Sequence, residues 1–179
     1  GVYFNAMDVL AAAGLTEKDI KPQYQNFDES ADALKDGKID AAFIVAGAPT
    51  PAITELSMTN ANTRIVPIDG AVADKLMKDN TFYSVYKIPA GTYTNQKEEI
   101  TSVTVKATLI VSADASEDDV YKLTAAIFDN IDAISKEHAK GTELSLENAT
   151  EGLTVPFHAG AAKYFAEKGI EVARACEMF

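Results

Sequence analysis

The sequence predicts an α/β fold: a mostly parallel sheet with helices on both faces. Three observations predict it. Strand-sized apolar runs alternate with segments of helical spacing. The run over residues 39–45 is almost unbroken in apolar side chains, as a strand covered on both faces requires. Glycine, proline and hydroxyl residues stand where such elements should start and stop.

Taken in order, Phe4, Met7, Leu10 and Ala11 recur at helical spacing, and Gly14 stops that helix. Residues 20–27 read as a short strand entered past Pro22, and residues 30–36 as a short helix capped by Ser30 and ended by Gly37. The buried strand of residues 39–45 follows. Thr50 then precedes Pro51, whose fixed φ and missing N–H suit the first helical position, so a helix is expected to start there and to end near residues 60–62. Residues 63–68 read as a strand, 71–78 as a helix after Gly70, and 82–88 as a strand broken by Pro89-Ala90-Gly91. Residues 94–102 are polar connection.

The β-branched run over residues 103–112 predicts another strand. Ser116 caps the next helix, and Glu117, Asp118 and Asp119 suit its electropositive first turn. Val120, Leu123, Ile127, Ile131 and Ile134 continue it as one apolar stripe toward Lys136, His138, Lys140 and Gly141. Residues 144–152 predict a short helix, 153–157 an extended stretch around Pro156, and 161–168 a helix stopped by Gly169.

Charge narrows the function classes. The 179 residues carry 16 Lys+Arg against 27 Asp+Glu, a formal net charge of −11, with no basic cluster to hold a phosphate backbone or an anionic membrane. Nucleic acid is therefore not an expected partner. The longest apolar runs fall far short of a membrane span. One cysteine, Cys176, precludes an internal disulfide and a cysteine-rich zinc site. The first residues, Gly1-Val2-Tyr3-Phe4-Asn5, lack the basic and apolar regions of a secretory signal, and the start at glycine suggests a piece of something longer.

Catalytic constellations are poorly represented. A serine or cysteine nucleophile needs a base and an orienting acid, yet His138 falls at a helix end and His158 in a connection. Both histidines read as bystanders, and Cys176 as a small apolar residue in a terminal segment without a nearby base. The histidines lie too far apart to pair as ligands by spacing, and Glu117-Asp118-Asp119 lacks the alternating donors and turn glycine of a calcium loop. Neither GxxxxGK[ST] nor a GxGxxG following a strand is present, so no nucleotide cofactor, and no cofactor at all, is expected.

Three loops remain. In Ile44-Val45-Ala46-Gly47-Ala48-Pro49-Thr50-Pro51-Ala52-Ile53 a strand leads through a glycine to a helix start, whose first amides lack intrahelical acceptors and suit an anion. The alternative is that Thr50 caps its own helix and nothing more. Gly1-Val2-Tyr3-Phe4-Asn5 places a glycine and side-chain donors at another helix start. Ile88-Pro89-Ala90-Gly91-Thr92-Tyr93 is a bent strand end carrying an aromatic with a hydroxyl tip. Each loop alone is ordinary punctuation.

Together, these stretches resemble the TAXI family of TRAP transporter solute-binding proteins. The likeness is carried by Leu34-Lys35-Asp36-Gly37-Lys38-Ile39-Asp40-Ala41, Gly47-Ala48-Pro49-Thr50-Pro51-Ala52-Ile53, Val66-Pro67-Ile68-Asp69 and Ile88-Pro89-Ala90-Gly91-Thr92-Tyr93. It continues through Val120-Tyr121 and Leu146-Glu147-Asn148-Ala149 to Phe157-His158-Ala159-Gly160-Ala161. The resemblance implies a periplasmic-binding-protein type II-like fold of two lobes, with the first lobe incomplete here. Residues 1–100 would form the second α/β lobe and 101–179 a return segment contributing to the first. It implies a non-catalytic receptor at the periplasmic or extracellular face of the membrane. That receptor would bind a small anionic or zwitterionic solute, such as glutamate or a dicarboxylate, and deliver it to TRAP transporter membrane subunits. By motif, the implied ligand-binding residues are Gly1, Val2 and Asn5, Ala46, Gly47, Ala48, Pro49 and Thr50, and Pro89, Ala90 and Tyr93. Ala46 departs from the family pattern, where a second glycine is expected.

Two other classes stay open at this point: an α/β enzyme domain, which would need a base placed in the cleft, and a ligand-free sensory or interaction module. A receptor missing part of a lobe is also expected to self-associate through its exposed apolar edge.

Overall fold

A computed structural model describes residues 1–60, 62–153 and 155–173. The fold is mixed α/β, and the chain divides into two compact units, Gly1–Val105 and Lys106–Phe179. Among the described residues no helix is long and apolar enough to cross a membrane.

In the first unit, α1 (Val2–Ala12) packs on α4 (Gly70–Asp79), and α2 (Phe27–Lys35) on α3 (Pro51–Thr59). Helix α4 also meets β1 (Tyr83–Ile88), which pairs antiparallel with β2 (Ile100–Val105) in the register Tyr83↔Val105 through Ile88↔Ile100. The boundaries of α1, α3 and α4 follow their sequence signals. Gly14 takes φ +78°, a left-handed conformation that costs glycine little, directly after α1. Pro51 occupies the first turn of α3. The core of this unit is built on small and branched residues, with Ala73 and Leu76 of α4 and Tyr83 of β1 all buried.

The strands follow the expectation less closely. Residues 20–26 contain no strand; instead Asn26 and Glu29 form a reciprocal capping box that starts α2 at Phe27, three residues before the expected cap at Ser30. Residues 39–45 and 63–68 run outside any β-ladder, although the Ile68 N–H donates to the Thr101 carbonyl at 3.1 Å. β2 begins at Ile100, inside the stretch read as polar connection, and ends at Val105, so residues 106–112 are unladdered and exposed. An apolar run specifies burial, but a strand needs an edge to pair with. Among the described residues the sheet is this two-stranded antiparallel pair.

The second unit rests on α5 (Glu117–Phe128) against α7 (Ala159–Glu167), with α6 (Ile131–Glu137) between them in sequence. The apolar stripe predicted one helix through Ile134, whereas the chain breaks at Asp129-Asn130. The Asn130 side chain turns back to donate to the Ala126 carbonyl at 2.8 Å, and Asp129 is drawn to α7. Such side chains compete with the backbone for hydrogen bonds and end helices. Residues 144–152 form a 3-10 turn, Asn148–Thr150, in place of the expected helix. Thr154 and Cys176 lie outside the described residues. Gly169, at φ +82°, stops α7 as expected.

Tyr164 is the anchor of this pair. It is 2% exposed and packs in an aromatic cluster with Tyr121, Phe128 and Phe165. Its hydroxyl donates to Asp129 at 2.8 Å, and Lys168 reaches the same oxygen at 3.2 Å. The hydrogen bonds from Tyr164 and Lys168 hold the Asp129 carboxyl below the usual carboxylate range. Because the folded state binds that proton more weakly than the unfolded chain, the contribution is complete above the ordinary aspartate range and is lost as pH falls from there through the lowered pKa of Asp129. Thermal melts from pH 6 down to about pH 3 should therefore show a smaller loss of stability in Asp129→Asn than in the wild type. Parallel curves would contradict this account of Asp129.

Candidate functional site

The three loops singled out by sequence all belong to the first unit. Residues 46–50 connect an extended apolar segment to α3. Ala46 and Gly47 are exposed, Ala48 and Pro49 half-buried, and Thr50 buried; the Ala48–Pro49 peptide is cis. Thr50 stands at the N-cap position with extended backbone, but its hydroxyl does not cap α3. It donates instead to the Gly47 carbonyl at 2.8 Å and closes the loop on itself. Among the described residues the first-turn amides of Ala52 and Ile53 have no side-chain acceptor, and Pro51 has no N–H to satisfy.

The backbone N–H of Thr50 donates to the Tyr93 hydroxyl at 3.0 Å. Both residues are 6% exposed. This contact, across 43 positions of sequence, ties the Gly-Ala-Pro-Thr loop to the Pro-Ala-Gly-Thr-Tyr turn. It also commits the Thr50 amide to protein. Pro89 and Ala90 are exposed at that turn, and the Pro89 carbonyl accepts from Thr92 N–H at 3.2 Å and from its hydroxyl at 2.7 Å.

Sequence reasoning missed Gln96, which holds Tyr93 in place. Its side-chain amide donates to the carbonyls of Ile88 at 3.2 Å and Pro89 at 3.0 Å, while its oxygen accepts the Tyr93 N–H at 3.3 Å. Its own carbonyl accepts from Gly91 N–H at 2.8 Å. A glutamine in a polar connection carries no pattern that announces this role. Gln96→Ala would remove three side-chain contacts from the turn and is expected to broaden the Tyr93 ring resonances; sharp, unshifted signals would argue against it.

The third loop is built differently. Gly1 is exposed at the N-cap of α1 and Val2 is half-buried. Asn5 points inward: its amide donates to the Tyr83 hydroxyl at 2.6 Å, which in turn donates to Asp8 at 2.9 Å. Burial and the Asp8 hydrogen bond push the Tyr83 phenol up, so it remains a protonated donor. This chain fixes α1 to β1. The structure thus brings Thr50 and Tyr93 into direct contact and engages Asn5 with the core.

Neither histidine is arranged as a base. His158 Nδ1 accepts the Gly160 N–H at 3.2 Å and caps α7, which leaves the proton on Nε2 to donate to the Ala115 carbonyl at 3.1 Å. His138 Nδ1 accepts from Lys140 N–H at 3.0 Å. Among the described residues no group of three His, Cys, Asp or Glu side chains is placed to hold a metal. A shallow cavity between α2 and α3, lined by Asp28, Ala31, Asp32, Lys35, Ala52, Glu55, Leu56 and Thr59, takes in Ala52 at the start of α3 but none of residues 46–50 or 89–93. What the loops offer is backbone and hydroxyl groups, a hydrogen-bonding chemistry suited to binding.

A family model described as NMT1-like matches residues 1–169. That family is periplasmic-binding-protein-like and related to solute receptors, and its members are binding proteins. The match spans the loops, both units and α7, and with it the chain belongs to the NMT1-like family.

Proposed function

We propose that this chain is part of an extracytoplasmic receptor of the TAXI type, which binds a small anionic or zwitterionic solute and hands it to TRAP transporter membrane subunits. The observation that carries the proposal is the hydrogen bond of Thr50 to Tyr93, which joins two loops that a sequence resemblance independently assigns to the ligand. The ligand-binding residues in this reading are Ala46, Gly47, Ala48, Pro49 and Thr50 with Pro89, Ala90 and Tyr93, and Gly1, Val2 and Asn5 at the start of α1.

The donors left for an anion are the exposed Gly47 segment and the first-turn amides of Ala52, a buried residue, and Ile53, a half-buried one. A helix start favours negative charge through these amides and its dipole, so a carboxylate needs no basic side chain here. The Thr50 N–H is already taken by Tyr93 and acts by positioning the loop. In the same reading, residues 1–100 are the second lobe and 101–179 return to the first.

Calorimetry of the protein with glutamate, glutamine, 2-oxoglutarate and glutarate tests the proposal. A saturable heat with at least one of them, accompanied by a rise in melting temperature, is expected. Silence across this panel and a broader set of metabolites would contradict it. Tyr93→Phe supplies a second test. It leaves the buried Thr50 N–H without its acceptor, which costs about 1–3 kcal/mol, and solute affinity should fall together with stability. An unchanged affinity would remove Tyr93 from the site.

A further inference from the structure

Three aromatic side chains stand together on an exposed surface beside the start of α1. Phe4 is 70% and Tyr24 73% exposed. Tyr3 lies between them, with its ring centroid 5.4 Å from that of Phe4 at an interplanar angle of 77°, and 6.1 Å from that of Tyr24 at 47°. Glu17 organises the group. One carboxylate oxygen accepts the Tyr3 hydroxyl at 3.0 Å and the other accepts the Tyr24 hydroxyl at 2.7 Å.

The charge of Glu17 has no cationic partner: among the described residues the ion pairs all involve other carboxylates. The hydrogen bonds to Glu17 push both phenols up, so Tyr3 and Tyr24 keep their protons and do not dissipate the charge. Each carboxylate oxygen retains a lone pair for a further N–H donor. Ring faces are electron-rich and attract a cation within about 6 Å. A carboxylate and three aromatic rings held together in this way select positive charge, and a planar guanidinium can both stack on tyrosine and hydrogen-bond the carboxylate.

We propose that Tyr3, Phe4, Tyr24 and Glu17 form a binding site for an organic cation bearing N–H donors, a guanidinium or primary ammonium group. The proposal rests on the receptor reading in one respect. Tyr3 and Phe4 share the first turn of α1 with Val2 and Asn5, which that reading assigns to the solute.

Butylguanidinium and its uncharged isostere butylurea are the probes, followed by the ring resonances of the protein in carbon-edited NMR spectra. Butylguanidinium should shift the Tyr3, Phe4 and Tyr24 rings saturably, and butylurea at the same concentration should not. Tyr24→Leu and Glu17→Gln should each weaken butylguanidinium binding about fivefold. Both positions are peripheral to the core, and circular dichroism checks that each variant is folded. Equal shifts with butylurea, or unchanged binding in both folded variants, would overturn the proposal. Glutarate, which carries no cation, separates the two readings. If it binds while butylguanidinium is silent, the cation site is refuted and the receptor reading stands. If butylguanidinium binds as described while every carboxylate is silent, the cation site is supported and the receptor reading fails.

Discussion

Gly160→Ala should destabilise the second unit by about 3 kcal/mol, at the upper end of what overpacking a core costs. Gly160 sits in the first turn of α7 where it crosses α5. A β-carbon there would fall 2.2 Å from the Glu117 carbonyl oxygen, 2.7 Å from the Tyr121 nitrogen and 3.0 Å from the Val120 β-carbon. Two of these three neighbours are backbone atoms of α5, which no rotamer change can move aside. The helices must separate, and separation pulls Tyr164 out of its ring cluster and away from Asp129. It also strains the hydrogen bond from His158, the α7 cap, to the Ala115 carbonyl just before α5. Urea denaturation followed by tyrosine fluorescence measures the effect. A midpoint within error of the wild type would mean that the α5–α7 approach is wrongly described.

Leu76→Ala should cost about 3 kcal/mol in the first unit, within the range for removing a buried leucine and leaving part of its volume empty. Leu76 is 1% exposed and lies on the face of α4 that also carries Ala73. Helix α4 meets both α1 and β1, so the vacated space opens at the centre of this unit. Its neighbours there are small or already committed: Ala73 cannot grow into the gap, and Tyr83 is held by Asn5 and Asp8. Thermal melts of Leu76→Ala and Leu76→Met separate volume from chemistry, since methionine fills the site with little loss. A loss below about 1 kcal/mol for the alanine variant would contradict the placement of Leu76 in this core.

The helices were the readable part of the sequence, because their punctuation is local. Pro51, Ser116, Gly14 and Gly169 each act within one turn of the backbone they control, and α3, α5, α1 and α7 begin or end beside them. The reciprocal pair of Asn26 and Glu29 is equally local and starts α2 at Phe27, ahead of Ser30. The break at Asp129-Asn130 was hidden by an apolar stripe that continues in register through Ile134. Beside the local bond of Asn130 to the Ala126 carbonyl stands a contact of Asp129 with Tyr164, 35 positions away. Strands were less legible for the same reason. Residues 39–45 and 106–112 carry the composition of strands, yet pairing depends on a neighbour the local pattern does not name. Antiparallel β1 and β2 form because a polar turn organised by Gln96 returns the chain on itself.

The candidate site divides along the same line. Glycine, proline and threonine marked the loop over residues 46–50 as special, and Tyr93 marked the turn after β1. That the Tyr93 hydroxyl would receive the Thr50 N–H was not legible in either segment. The aromatic group of Tyr3, Phe4 and Tyr24 is a similar case, assembled from two segments by a single acid, Glu17. Residue types announced which chemistry was scarce here, and tertiary contacts decided which groups meet.

Solute recognition in this receptor depends, in the proposed reading, on backbone amides at the start of α3 receiving an anion. Amide-resolved NMR during a titration with glutamate or 2-oxoglutarate measures this directly. The largest shifts are predicted at Gly47, Ala52 and Ile53, with the Thr50 amide moving less because Tyr93 holds it. Saturable binding that leaves Gly47, Ala52 and Ile53 unmoved would contradict the account.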